Sequence, residues 1–203
     1  MSLRKIGLSE REKIELSAKW LFYQVANGVE YLHSNNIMHR DIKLDNILVS
    51  SSSIISCEFF NNFWKDDGGV KLCDFTVAKI LETPDEICYD CEGTPFFTSE
   101  INELIELTHN VGPEVSFCLK DGYVPRPNDI WAIGVCIYTY LTEELPFNGE
   151  SDIEVQIATK DKEYKIFDWM GEDLQDLLRG LLDKDPTKRY TIEEVKAHKW
   201  FVF

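Results

Sequence analysis

His39-Arg40-Asp41-Ile42-Lys43-Leu44-Asp45-Asn46 is the stretch on which the reading of this chain turns. It sets one acid, one lysine and one amide on a short loop. An aspartate there can accept the proton of an attacking hydroxyl. A lysine two residues on can neutralise a transferring phosphoryl group, and an asparagine five residues beyond the acid can hold a metal ion, which is the spacing phosphoryl transfer needs. A charged turn between a helix and a strand can carry the same residue types, so the stretch gains its meaning from what surrounds it. Downstream, Val70-Lys71-Leu72-Cys73 reads as a short buried strand that delivers a second acid, in Asp74-Phe75-Thr76, to the edge of the same cleft.

Upstream, Ser9-Glu10-Arg11-Glu12 has the form of a capping box, with Ser9 and Glu12 each able to satisfy the other's backbone, so a helix should begin there. Ile14, Ala18, Leu21, Val25, Val29 and Leu32 recur at steps of three and four and predict one buried face. Asn35-Asn36 ends that helix and Ile37-Met38 leads into the loop. Ile47-Leu48-Val49 reads as a strand with Val70 to Cys73 as its hairpin partner. Asn128 is placed to cap a helix from Ile130 to Leu141 that has almost no polar face, the signature of a buried helix. Pro146 to Gly149 breaks the chain, Asp173 to Leu182 has the pattern of another amphipathic helix, and Thr191-Ile192-Glu193-Glu194 is a second capping box.

The 203 residues give room for one sizeable core, and 44% apolar with 28% charged residues is ordinary for a globular protein rather than a disordered one. The amino-terminal stretch becomes Glu10-Arg11-Glu12-Lys13 without an apolar core for secretion, and Ile130 to Leu141 is too short to span a membrane. An intracellular, soluble, cytoplasmic protein with no membrane partner is the expectation. A formal net charge of −15 argues against nucleic acid and makes a basic protein the more natural partner, although the same charge also serves solubility. Six scattered cysteines are not a disulfide framework. Cys88-Tyr89-Asp90-Cys91 has zinc or redox spacing, but no second pair follows it.

Asp74-Phe75-Thr76 resembles the magnesium-binding Asp-Phe-Gly of protein kinases. Gly93-Thr94-Pro95-Phe96-Phe97-Thr98-Ser99-Glu100 resembles the end of a kinase activation segment, and Asp129-Ile130-Trp131-Ala132-Ile133-Gly134 the start of the central helix of the large lobe. Lys188-Arg189 follows Leu182-Asp183-Lys184-Asp185-Pro186 as it does in that family. With His39 to Asn46, these five motifs stand in the family's order, and the chain resembles a eukaryotic protein kinase of serine/threonine type from about Leu8 to Phe201. Within the family it is most similar to the calmodulin-dependent kinase kinases.

That resemblance implies a mainly α fold with a short β-hairpin, the large C-terminal lobe of a kinase, which transfers the γ-phosphate of ATP to protein serine or threonine. It implies Asp41, Lys43 and Asn46 as catalytic residues, with Asn46 and Asp74 holding Mg2+ beside ATP. His39, Arg40, Phe75, Thr94 and Asp129 take structural or regulatory places. Arg189 takes that of the arginine that pairs with the glutamate at Glu100.

Several features depart from the pattern. No Gly-x-Gly-x-x-Gly occurs in the sequence, and Lys5, Lys13 and Lys19 are not in a strand of Val-Ala-x-Lys type. The chain therefore reads as the C-terminal lobe, inactive alone, a fragment or a domain completed by a partner chain. A non-catalytic scaffold of the same fold, a pseudokinase, is the alternative. Thr76 stands where the family has glycine, which would restrict switching of the metal loop. Twenty-seven residues separate Asn46 from Asp74, so residues 50–69 read as an insertion whose Phe59, Phe60, Phe63 and Trp64 fold back on the lobe or form a docking patch, if the segment has a function at all. Residues 101–128 read as a second insertion, with Ile101 to Leu107 as one helix. Glu82, Asp85, Glu86, Asp90 and Glu92 oppose Lys79 alone between Phe75 and Gly93. One of them could pair with Arg40 in place of a phosphate, with Thr83 as the competing phosphorylation site.

Overall fold

A computed structural model describes residues 8–50, 69–89, 110–116 and 122–202. Helix α1, Glu10–Ser34, starts at the expected capping box, in which the Ser9 side chain accepts from the Glu12 backbone and the Glu12 carboxylate accepts from Ser9. Asn35 caps its end, and Asn36 turns the chain at a φ of 55°. Five of the six periodic residues are buried. Ile14 is not; in the second turn of α1 it is 45% exposed.

Four short strands follow: β1 (Ile37–Met38), β2 (Ile47–Val49), β3 (Val70–Leu72) and β4 (Lys79–Ile80). β2 and β3 form the expected antiparallel hairpin, in which Ile47 faces Leu72 and Val49 faces Val70. The Ser50 N–H donates to the Gly69 carbonyl at 3.3 Å and extends the pairing to the mouth of segment 51–68, which with its four aromatics lies outside the described residues. β3 is half-buried rather than buried, because Lys71 points to solvent. The β1–β4 ladder was not legible in the sequence, since two-residue strands carry no periodicity.

The remaining helices are α2 (Pro113–Ser116), α3 (Arg126–Thr142), α4 (Asp152–Asp161), α5 (Glu172–Leu181) and α6 (Ile192–Ala197), with a 3-10 turn at Lys199–Phe201. Arg126 to Asn128, placed by the sequence in the second expected insertion, 101–128, belong to α3. Asn128 does not cap that helix. It sits inside the first turn, and its side-chain oxygen accepts from the Gly112 N–H at 2.8 Å. Proline in the first turn needs no partner for a missing N–H, which is why the helix can begin three residues earlier. Ile101 to Leu107 lie outside the described residues.

α3 is the axle of the core. Residues Asn128 to Tyr138 are buried without interruption, as the apolar run predicts. Phe22, Val25 and Val29 of α1, Leu174, Leu177 and Leu178 of α5, and Val195 of α6 pack with it in one cluster. Trp131 stacks on Phe147 with ring centroids 5.4 Å apart. A smaller cluster of Met38, Leu81, Cys88, Val111, Val115 and Tyr123 joins the strands to α2. The thiols of Cys73 and Cys136 are free, and no group of three or more His, Cys, Asp or Glu side chains among the described residues could hold a metal ion. Cys91 lies outside the described residues, as do Cys57 and Cys118.

Gly134 lets α3 approach α5 closely, since a Cβ there would stand 2.8 Å from the Leu181 Cβ and 2.9 Å from Leu182. Gly134→Ala is therefore expected to lower stability by about 1–3 kcal/mol through overpacking, read as a lower denaturant midpoint with an unchanged slope. A midpoint at the wild-type value would show that the two helices separate freely.

Candidate active site

The stretch His39 to Asn46 crosses from β1 to β2 over the buried face of α3. Asp129, fully buried in the first turn of α3, reaches up into it. One carboxylate oxygen accepts from the Arg40 N–H at 2.8 Å. The other accepts from the His39 N–H at 3.0 Å and from Nε2 of His33, on α1, at 2.9 Å. The loop backbone is thus anchored to two helices through one side chain. From below, the Cys136 thiol of α3 contacts the Ile42 carbonyl, and burial, with Asp45 and Asp41 adding to it, pushes that thiol up to about 12.

Arg40 adopts a φ of 66°, an uncommon conformation for a side-chain-bearing residue and one that surrounding contacts must hold. Its Nε donates to the Val77 carbonyl at 2.6 Å, which ties the loop to the segment after Asp74. His39 makes a second tie. Its Nε2 lies 3.0 Å from the Cys73 carbonyl and its Nδ1 accepts from the Asp41 N–H at 3.3 Å, so Nε2 carries the proton and the ring spans the gap between the two acids. The Phe75 ring lies against it, with centroids 4.7 Å apart.

The three residues of the opening motif converge on one oxygen. Asp41 Oδ2 accepts from Asn46 Nδ2 at 2.9 Å and lies 3.2 Å from Lys43 Nζ. Asn46 Nδ2 also donates to the Asp41 carbonyl at 2.8 Å. With its nitrogen committed to Asp41, Asn46 has its amide oxygen left for another ligand, and Asp41 has Oδ1 left to accept a hydroxyl proton. The Cys73 N–H donates to the Asn46 carbonyl at 3.0 Å, so the backbones that carry Asn46 and Asp74 are bonded to each other.

Asp74 is exposed at a φ of 61°. Its Oδ1 accepts from the Thr76 hydroxyl and from the Thr76 N–H, and these hydrogen bonds hold the carboxyl below the usual aspartate range. Asp74 carries the positive φ of this loop, and Thr76 is not among the residues of positive φ. The oxygens left by Asn46 and Asp74 are hard donors of the kind magnesium takes.

Glu100, the expected partner of Arg189, lies outside the described residues with Thr94. The Arg189 guanidinium forks onto Glu114, Nη1 to Oε1 at 2.6 Å and Nη2 to Oε2 at 3.0 Å. The Pro127 and Asp183 carbonyls take the remaining N–H groups, and the Trp131 ring lies 4.9 Å beneath. All five donors are satisfied in a fully buried side chain. The signal was present in the sequence: Gly112-Pro113-Glu114 places a proline before the glutamate, which Thr98-Ser99-Glu100 does not. Among the acids expected to meet Arg40, Glu86 is engaged elsewhere, accepting from the Glu82 N–H at 2.6 Å with Lys79 at 3.9 Å, while Asp90 and Glu92 lie outside the described residues.

Comparison with known proteins agrees with this geometry. The family model described as protein kinase domain matches residues 3–201. The serine/threonine-protein kinase GRIK1 of Arabidopsis thaliana is 32% identical over 186 residues, which cover 92% of this chain and 39% of the plant protein. Serine/threonine-protein kinase stk11 of Xenopus laevis is 32% identical over 182 residues, 89% of this chain and 35% of its own length. SIK2 of Gallus gallus is 30% identical over 186 residues, 92% of this chain and 19% of its own length. The chain thus spans well under half of each of these relatives.

Removing one partner of a buried, fully bonded ion pair leaves an uncompensated charge. Glu114→Ala is therefore expected to cost about 3–5 kcal/mol in chemical denaturation. Glu100→Ala, measured alongside, is expected to leave the transition where it is. A loss confined to Glu100→Ala would restore the pairing expected from the sequence.

Proposed function

The chain belongs to the protein kinase family, with serine/threonine kinases as its relatives, and from that premise we propose that it supplies the catalytic lobe for transfer of the ATP γ-phosphate to serine or threonine of a protein. The observation that carries this reading is the convergence of Asn46 and Lys43 on one oxygen of Asp41, which leaves the other without a partner among the described residues. In this reading a substrate hydroxyl donates to Asp41 Oδ1 and is oriented there as its oxygen attacks. Lys43 places its positive charge beside the transferring phosphoryl group, and its contact with Asp41 keeps it at that position between turnovers. Asn46 and Asp74 would hold Mg2+, which when bound supplies positive charge against the phosphates. His39 keeps the loop of Asp41 and the loop of Asp74 in one register.

The nucleotide itself requires a covering lobe. Leu48, Val49 and Phe75 are 52, 40 and 46% exposed although they adjoin Asn46 and Asp74 in sequence, and such a lobe would bury them. We read that lobe as contributed by further sequence or by a partner chain. The net charge of −15 favours a basic protein substrate over nucleic acid, and no helix among the described residues is long and apolar enough to cross a membrane. A cytoplasmic site of action and a place near the calmodulin-dependent kinase kinases, resting on Gly93-Thr94-Pro95-Phe96 and Asp129 to Val135, complete the reading.

Radiolabelled ATP and a basic protein substrate test it. The chain alone is expected to give no Asp41-dependent transfer, because the phosphate-binding parts are not among its motifs. In protein joined to an ATP-binding lobe, Asp41→Asn is expected to lower turnover by about two to four orders of magnitude. Turnover unchanged by Asp41→Asn would favour the non-catalytic scaffold.

A further inference from the structure

We infer that Thr76 is a positioning residue that clamps the Asp74 carboxylate and determines which of its oxygens a metal ion meets. The inference rests on the reading of Asp74 as a metal ligand and adds a residue to it. A carboxylate oxygen has two lone pairs, and Thr76 supplies two donors, its N–H at 3.3 Å and its hydroxyl, to the same Oδ1. Oδ1 is thereby filled and Oδ2 is left as the one oxygen offered outward. A glycine at this place would supply the N–H alone and leave the carboxylate free to rotate.

The clamp works because its own base is fixed. The Ala78 N–H donates to the Phe75 carbonyl at 3.1 Å and closes a turn around Thr76. The Phe75 ring rests on His39, which is bonded to the Cys73 carbonyl, and the Val77 carbonyl is held by Arg40. The hydroxyl therefore sits on a frame tied at Cys73, Phe75 and Val77 to the loop that carries Asp41. Asp74, on the other hand, is exposed, and among the described residues no other hydrogen bond or ion pair holds its side chain; without the clamp it would sample both orientations of its carboxylate. Thr76 is itself exposed, so exchanging its side chain need not disturb the core.

Mn2+ titration of the full chain, followed by the electron paramagnetic resonance of free Mn2+ and by broadening of backbone amide resonances near Asp74, tests the inference with thermal melts as the folding control. Thr76→Val keeps the shape and removes the hydroxyl, and Thr76→Ser keeps the hydroxyl. The valine variant is expected to bind Mn2+ about threefold to tenfold more weakly, the loss associated with immobilising one side chain on binding, while the serine variant stays within about twofold of wild type. Asp74→Asn is expected to abolish the site-specific broadening. If Asp74→Asn removes binding while Thr76→Val matches wild type, the clamp is overturned and the metal reading stands. If Asp74→Asn changes nothing, the metal reading itself fails, and the clamp fails with it.

Discussion

The buried carboxylate of Asp129 is the interaction on which the rest of this structure depends. A charge fully removed from water is tolerable only when its lone pairs are occupied, and here two backbone N–H groups and one imidazole occupy them. Hydrogen bonds to a charged group are worth about 1.5–3 kcal/mol each, roughly twice a neutral one, so the three together outweigh the left-handed backbone at Arg40. The side chain stands on a helix whose own burial is continuous over three turns. Position in the core is therefore transmitted to position in the loop with little slack.

From that anchor the site is assembled by ties of decreasing burial. His39 passes the register of the first loop to Cys73, Asn46 passes it again through its backbone carbonyl, and Arg40 passes it to Val77. The first two join main chain to main chain or to a ring with two fixed nitrogens, which leaves few rotamers to freeze, and the third uses the buried Arg40 side chain. At the outermost position the flexible side chain of Lys43 meets Asp41. At the same end of α3, Arg189 does for the helix start what Asp129 does for the loop, gathering Glu114, Pro127 and Asp183 around one planar group.

Much of this was legible from the residues because it is local. The capping boxes at Ser9 and Thr191 and the hairpin of β2 and β3 depend on neighbours a few positions apart, and the structure has them where the patterns place them. Where the reading and the structure part, a distant partner decided two of the outcomes. Asn128 looks like a cap until Gly112 claims its oxygen, and Glu100 looks like the partner of Arg189 until Glu114 forks onto it. Ile14 fits the helical stripe but lies in the second turn of α1, where it stays exposed. For Thr76 the comparison with glycine drew attention to backbone freedom, whereas the structure gives weight to the hydroxyl, a property no periodicity reports.

The closure between Ser50 and Gly69 has a consequence for how this chain can vary. The two ends of segment 51–68 are fixed to each other before the segment begins, so the hairpin, and with it the spacing of Asn46 from Asp74, does not register how much chain hangs between them. Closing a loop of twice the length costs only about 0.6 kcal/mol more. The hairpin tip is thus a port in the architecture, a place where sequence can be gained, lost or exchanged for a tag or a foreign module, and where the lineage of this protein could experiment with length at almost no cost to its catalytic geometry.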